Sequence, residues 1–470
     1  MNSDSQFDSK PRVWLLIPIE TKAREYHAKL LLSCVAAEAG FGVILGDMNQ
    51  LYINAGWLPR GICFINNIAT IHEAPIRRYR RIGHRVAAWC EEGIAYRNRQ
   101  SYRHERVSPV VMRQVERFFA WGDYQAEDVR LAIDPADREK VVLSGSPRLD
   151  LLRPGFREFF RAEAERIRAQ YGRFILVNSN FHRFNHFLGR GAYLRNLRAN
   201  GKIPDTEREA FFQQWIDFLG DMYHAFAKML ETLSAALPDH SIVLRPHPSE
   251  DQEAWQRELA DLTNVEVVHE GSALPWILAS EVLIHNSCAT GIEAFAMGVP
   301  VIAYRPLRSE TYDSFLPNAL SREARTEDEL VSLVKTLVSC NPTAEEAVAD
   351  DRQELARRFF SGLEGPLASE RIVETLVKIQ VPAKPFARNR MQARARKFAV
   401  RVWPPVRKLL RRVAKGPNPL SHYLRQKFPT LELAEVQQDL GRLRKASGRF
   451  ASVQVAAIGD MLFSLTSSRY

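Results

Sequence analysis

Five short segments of this 470-residue chain gather side chains suited to acid–base chemistry, nucleophilic attack or anion binding, and each follows an apolar run of strand type. Cys90-Glu91-Glu92-Gly93 places two carboxylates side by side before a glycine that permits a tight turn. Two adjacent carboxylates repel when both are ionised, which favours one of them as a general base, although Glu-Glu-Gly is also an ordinary loop tripeptide. Ser144-Gly145-Ser146-Pro147-Arg148-Leu149-Asp150 presents a guanidinium and a carboxylate on a stiff turn. Asp150 suits three roles, a nucleophile, a stabiliser of positive charge, or a helix cap. Asn178-Ser179-Asn180-Phe181-His182 brings an imidazole able to move protons into a polar loop.

Two further segments suit phosphate. In Leu244-Arg245-Pro246-His247-Pro248-Ser249-Glu250 a pair of prolines stiffens the backbone around one imidazole beside one guanidinium, so an anion would meet donors already in place. His285-Asn286-Ser287-Cys288-Ala289-Thr290-Gly291 runs into a helical pattern, where hydroxyls and unpaired backbone N–H groups at a helix start form an anion cradle. The lysine and spacing of a P-loop are missing, as are an Asp-x-Asp pair and a His-Glu-x-x-His helix. No metal is expected; the phosphate charge would be met by hydrogen-bond donors.

These segments need strands to carry them. Val/Ile/Phe-rich runs at Val13–Ile19, Gly42–Leu45, Ile62–Asn66, Arg85–Trp89, Arg117–Trp121 and Lys140–Leu143 alternate with helical patterns such as Tyr26–Ala39 and Gln125–Ala132. After a charged helical stretch at Leu152–Gln170, strands resume at Phe174–Val177, Ser241–Leu244, Val265–Val268, Glu281–His285 and Val299–Ala303, with helices at Glu207–Ala236, Leu274–Ala279 and Thr290–Ala296. The expected class is α/β, with two Rossmann-type doubly wound domains facing a cleft and ligands beyond the carboxyl ends of the strands. The expected division is a Rossmann-like domain over 1–155, a second Rossmann-like domain with crossover helices over 156–380, and a basic amphipathic helical tail over 381–470.

The formal charge of +10 is local. Between Thr375 and Leu431 lie fifteen Lys and Arg and no Asp or Glu; the rest of the chain is slightly acidic. Within that stretch apolar residues including Phe398, Trp403 and Leu409 interleave with the arginines, and Pro404-Pro405 interrupts the helical pattern. A cationic amphipathic segment suits an anionic membrane surface, each basic residue contributing roughly 1 kcal/mol. A solvated charged face or a partner-docking helix is the plainer alternative. No nucleic-acid-binding module is present, and none is expected as a partner. No run approaches the length of a membrane span, so a cytoplasmic location at the inner membrane face is expected. Five cysteines without a CxxC pair suggest buried apolar side chains.

Taken in order, Glu-Glu-Gly in the first half with Arg-Pro-His-Pro and a Ser/Thr helix start in the second resembles GT-B glycosyltransferases that use CMP-activated sugars, the bacterial sialyl-, polysialyl- and Kdo (3-deoxy-manno-octulosonic acid) transferases. The Gly-Ser-Pro-Arg-Leu-Asp and Asn-Ser-Asn-Phe-His segments bring it nearest to retaining β-Kdo transferases and surface carbohydrate biosynthesis proteins, over roughly Arg12 to Leu376. The resemblance implies transfer of Kdo or a related ulosonic acid from CMP to a bacterial surface glycan or glycolipid, with no cofactor beyond the donor. It implies that Arg245, His247 and Pro248 with Asn286, Ser287 and Thr290 hold the CMP, and that Glu91 or Glu92 is the base. By the same resemblance Asp150 attacks the anomeric carbon in a double displacement, assisted by His182. The alternatives are an inverting sialyltransferase-like enzyme, a CDP-alcohol phosphotransferase of the teichoic acid type, a nucleotide-sugar epimerase, and a non-catalytic scaffold for glycan assembly.

Overall fold

A computed structural model describes residues 11, 13–93, 96–199, 201–339, 350–381 and 428–469. The chain divides into two compact units. One comprises residues 1–93, 100–151 and 358–470, the other residues 94–99 and 152–357. The α/β class follows from the sheets themselves.

The first unit is built on β1 (Trp14–Ile19), β2 (Gly42–Asp47), β3 (Gly61–Ile65), β4 (Arg85–Trp89), β5 (Arg117–Ala120) and β6 (Val141–Leu143), all parallel, in the order β2-β1-β3-β4-β5-β6. β1 to β4 are buried almost throughout, which is why they read as unbroken apolar runs and not as alternating ones. The sheet turns direction between β1 and β3, and helix α1 (Lys22–Glu38) leaves the carboxyl end of β1 beside that point.

The sheet does not end at β2. β13 (Val453–Gly459) and β14 (Leu462–Ser467) form an antiparallel hairpin, and β14 pairs antiparallel with β2, Phe463 opposite Leu45 and Leu465 opposite Val43. The expectation of a helical tail over 381–470 is therefore corrected for its last part: residues 428–469 fold as a helix followed by a hairpin that extends the first sheet. The expected second domain is corrected too, because the described residues 358–381 and 428–469 belong to the first unit. The basic stretch at 382–427, with Pro404 and Pro405, lies outside the described residues.

In the second unit β7 (Phe174–Asn178), β8 (Ser241–Arg245), β9 (Val265–Val267), β10 (Val282–His285), β11 (Val301–Tyr304) and β12 (Arg322–Ala324) form one parallel sheet in the order β12-β11-β10-β7-β8-β9. This is the Rossmann order, with the chain winding from β7 to β9 on one side and from β10 to β12 on the other. The 31-residue helix α2 (Thr206–Ala236) covers the sheet with Met222, Phe226, Leu230 and Leu233, all fully or almost fully buried. Every strand expected from the apolar runs is present; β12 and the hairpin were not anticipated. Among the described residues no helix is long and apolar enough to cross a membrane.

Candidate active site

At the turning point of the first sheet sits a lysine that sequence pattern does not single out. Lys29, on α1, is 1% exposed, and its ammonium reaches Pro18 O at the end of β1 (2.6 Å), Asn66 Oδ1 just after β3 (3.0 Å), Glu91 Oε1 just after β4 (2.9 Å) and Glu25 Oε2 (2.8 Å). One buried cation thus ties three strand ends to α1. Burial pulls the lysine pKa down, but Glu25 and Glu91 outweigh that and hold it above its ordinary value. For Glu25, burial raises the pKa, and Lys29 and Arg24 reverse the effect and hold its carboxyl low.

The two adjacent glutamates have different surroundings. Glu91 is buried, and its Oε1 also accepts from Trp89 Nε1 at 2.9 Å. Glu92 is 43% exposed and paired with Arg106 and, at 3.6 Å, Arg24. The mutual repulsion expected between neighbouring carboxylates is met by giving each its own cations, and of the two only Glu92 has a partly exposed side chain.

Asp150 is fully buried. Its Oδ1 accepts from the backbone N–H of Ala368 (2.8 Å), and its Oδ2 accepts from the N–H (2.9 Å) and hydroxyl (2.8 Å) of Ser369. These groups open helix α3 (Ala368–Val377), whose own N-cap position is Leu367, a residue with no capping oxygen in its side chain. Asp150 supplies the missing cap from a distant part of the chain, and neither oxygen is presented to a sugar. The rest of the Gly-Ser-Pro-Arg-Leu-Asp turn serves the same crossing. Gly145 has φ +83°, and a Cβ there would stand 1.9 Å from Ser361 O, so only glycine lets the returning chain lie so close. Ser361 N–H in turn donates to Trp121 O beyond β5. Of the three roles open to Asp150, the geometry selects the cap.

In the second unit β7 lies between β8 and β10, with Asn178 in register with both Arg245 and His285. The three candidate loops therefore leave adjacent strand ends at the turning point of a Rossmann sheet, where such sheets bind their ligands. Glu250 joins two of them. It is 2% exposed and accepts from Ser179 Oγ, Phe181 N (2.9 Å), His247 N (3.1 Å) and Trp255 Nε1 (2.8 Å). Burial drives its pKa up against those four donors. Nothing in the sequence gives Glu250 this role beyond its place three residues after His247.

The imidazoles of His182 and His247 stack, centroids 4.5 Å apart and planes 29° off parallel. His182 Nε2 accepts from Arg183 Nη1 (2.8 Å), which leaves its Nδ1–H to donate to Asn180 Oδ1 (3.2 Å). Burial, then Arg183, His247 and His186, lower its pKa well below the ordinary value, so the ring is neutral near pH 7. His247 Nδ1 accepts from Ser249 N (3.2 Å), which assigns its proton to Nε2. Pro248 is exposed beside it. Arg245 departs from expectation. Its guanidinium donates to Glu270 O (2.8 Å) and Gly271 O (3.3 Å) and lies over Trp276, so it braces a neighbouring loop. Burial lowers its pKa to about 10.

The third loop is shaped from beneath by His285, fully buried at the end of β10. Its Nδ1 accepts from Cys288 N (3.3 Å), so Nε2–H donates to Ser321 Oγ (2.8 Å), whose hydroxyl donates to Pro317 O. Burial and Arg305 lower its pKa to about 3. Gly291, in helix α4 (Ala289–Ala296), is required by this ring, since a Cβ would fall 2.3 Å from Nε2. Ser287 takes a left-handed φ of +48°. Asn318 holds it there by accepting from its N–H and donating to its Oγ (both 3.0 Å). Asn286 is buried and donates to Tyr304 O (3.3 Å), while Thr290 Oγ1 contacts Cys288 Sγ (3.1 Å). The start of α4 has no side-chain cap, which suits an anionic group there.

No protein-family model matches this chain, and no curated protein matches it. Among solved structures it is similar to UDP-GlcNAc 2-epimerase from Neisseria meningitidis bound to UDP-GlcNAc, at 15% identity and TM-score 0.48, covering 78% of this chain and 100% of that one. It is similar to a putative UDP-N-acetylglucosamine 2-epimerase from Listeria monocytogenes at 14% identity and TM-score 0.48, covering 80% and 100%. A third is the wall teichoic acid polymerase TagF, at 14% identity and TM-score 0.43, covering 80% and 91%. All three fall below a TM-score of 0.5, so the fold assignment rests on the strand order of the two sheets.

Proposed function

We propose that this chain is a GT-B-type glycosyltransferase that takes a sugar from a nucleotide-activated donor and binds the nucleotide on its second unit. The observation that carries the reading is the convergence of the loops holding His182, His247 and Ser287 on adjacent strand ends at the turning point of a Rossmann-ordered sheet. Within this reading the donor is a CMP-ulosonic acid such as CMP-Kdo, supported by the ordered motifs Glu-Glu-Gly, Arg-Pro-His-Pro and the Ser/Thr helix start. The acceptor is a bacterial surface glycan, and the basic segment at 382–427 holds the enzyme against an anionic membrane.

The burial of Asp150 favours a single displacement over the double displacement that the resemblance implied. In that step an acceptor hydroxyl attacks the anomeric carbon, the bond from that carbon to the phosphate oxygen breaks with its electron pair leaving on CMP, and the hydroxyl proton passes to a general base, the role the resemblance gives to Glu91 or Glu92. His247 Nε2–H and the N–H groups opening α4 stabilise the charge growing on the departing phosphate. The test is a donor screen by mass spectrometry with CMP-Kdo, CDP-glycerol and UDP-GlcNAc. Release of CMP with an acceptor product of inverted anomeric configuration supports the reading. Consumption of CDP-glycerol, or epimerisation of UDP-GlcNAc without an acceptor, replaces it with the phosphotransferase or the epimerase.

A further inference from the structure

The sequence pairs His247 with Arg245 as the cation for a phosphate, but the Arg245 guanidinium is committed to the carbonyls of Glu270 and Gly271. Another arginine adjoins the stacked histidines. Arg183 Nη1 lies 2.8 Å from His182 Nε2, and the guanidinium sits 3.9 Å from the centroid of the Trp215 ring. Stacking on an indole fixes the plane of a guanidinium, and a guanidinium held in one plane is suited to gripping an oxyanion. Trp215 is itself held at the packed face of α2.

We infer that Arg183, His182 and His247 form a pocket for an oxyanion, with Arg183 as its cation. The pocket is preorganised from below, because Glu250 pins the backbone of Phe181 and of His247. The two loops are also joined edge to edge. Phe187 N–H donates to Ser249 O, Asp251 N–H to Asn185 O, and Asn185 Nδ2 to Asp251 O. The charged neighbours acting on His182 are Arg183, His247 and His186, all cationic or able to become so, and the Glu250 carboxylate faces its own four donors. A bound anion would offset that positive field. The inference rests on the nucleotide-donor reading only for what carries the oxyanion, which is either the donor phosphate or the carboxylate of the ulosonic acid.

The experiment uses the full chain, with imidazole NMR of His182 and His247 and titration calorimetry against inorganic phosphate, CMP, cytidine and free Kdo. Inorganic phosphate and CMP are expected to shift both imidazole resonances and raise the His182 pKa. Arg183→Met is expected to weaken CMP binding at least about tenfold while leaving cytidine binding unchanged, and Arg183→Lys to restore part of the loss. If Kdo binding is lost in Arg183→Met while CMP binding holds, the pocket stands and its oxyanion is the sugar carboxylate. Unshifted His182 and His247 resonances with both phosphate and Kdo, or unchanged affinity for both CMP and Kdo in a folded Arg183→Met protein, overturns the inference. If phosphate perturbs these rings but no nucleotide sugar is consumed, the pocket stands and the glycosyltransferase reading fails.

Discussion

Asp150 Oδ2 receives both the backbone N–H and the hydroxyl of Ser369, 219 residues further along the chain. An aspartate whose turn leaves nucleophile, charge stabiliser and cap open, and to which the resemblance gives the nucleophile's role, thus closes the first unit by capping a helix supplied by the returning chain. Asp150→Ala leaves two backbone N–H groups and a hydroxyl buried without an acceptor. It is expected to lower unfolding free energy by about 2–4 kcal/mol in denaturant melts, with Asp150→Asn intermediate. Unchanged stability with abolished sugar transfer would instead restore Asp150 to the chemistry.

Lys29 pairs with both Glu25 and Glu91 in a space almost closed to water. Removing the cation leaves Glu25 with Arg24 and Glu91 with the Trp89 N–H, so Lys29→Met is expected to cost about 3–5 kcal/mol. Adding Glu25→Gln should recover part of that, because one under-compensated buried charge is gone. The double-mutant cycle measures the coupling. Additive losses would mean that the ammonium and the Glu25 carboxylate act independently.

Glu91 and Glu92 differ by one position and by their exposure, and the expected consequences differ accordingly. Glu92→Gln should lower kcat of transfer by about 10²–10⁴ with little change in melting temperature. Glu91→Gln should act chiefly on stability by weakening the Lys29 cluster. The reversed pattern would move the base to Glu91.

His285, with its pKa near 3, stays neutral in the folded chain where an unfolded chain would take up a proton. Its contribution is therefore complete above about pH 6.5 and lost as pH falls towards 3, at roughly 1.4 kcal/mol per pH unit. Between pH 7 and pH 5 the native protein should lose about 2 kcal/mol more than His285→Asn, a difference in which the other histidines cancel. Equal losses would show that His285 is protonated when folded.

The parallel strands were legible because strands buried on both faces must be apolar throughout, as in Leu15–Ile19 and Val282–Ile284. The loops after them were legible because open sheets carry polar residues there. The hairpin at 453–467 was hidden by the basic stretch before it, although Gly459-Asp460 between two apolar runs is a turn signal. Roles fixed by distant packing were not legible. Nothing local shows that Asp150 meets Ser369, that Lys29 meets Glu91, or that Arg245 turns to Gly271 and leaves Arg183 beside the histidines.

The most direct measurement is a crystal structure of the full chain with CMP. The phosphate is expected against the His247 imidazole and the Asn286–Thr290 turn at the start of α4, with Ser287 keeping its left-handed backbone. CMP seated away from the strand ends of β7, β8 and β10, with His247 and Ser287 out of its reach, would contradict the account.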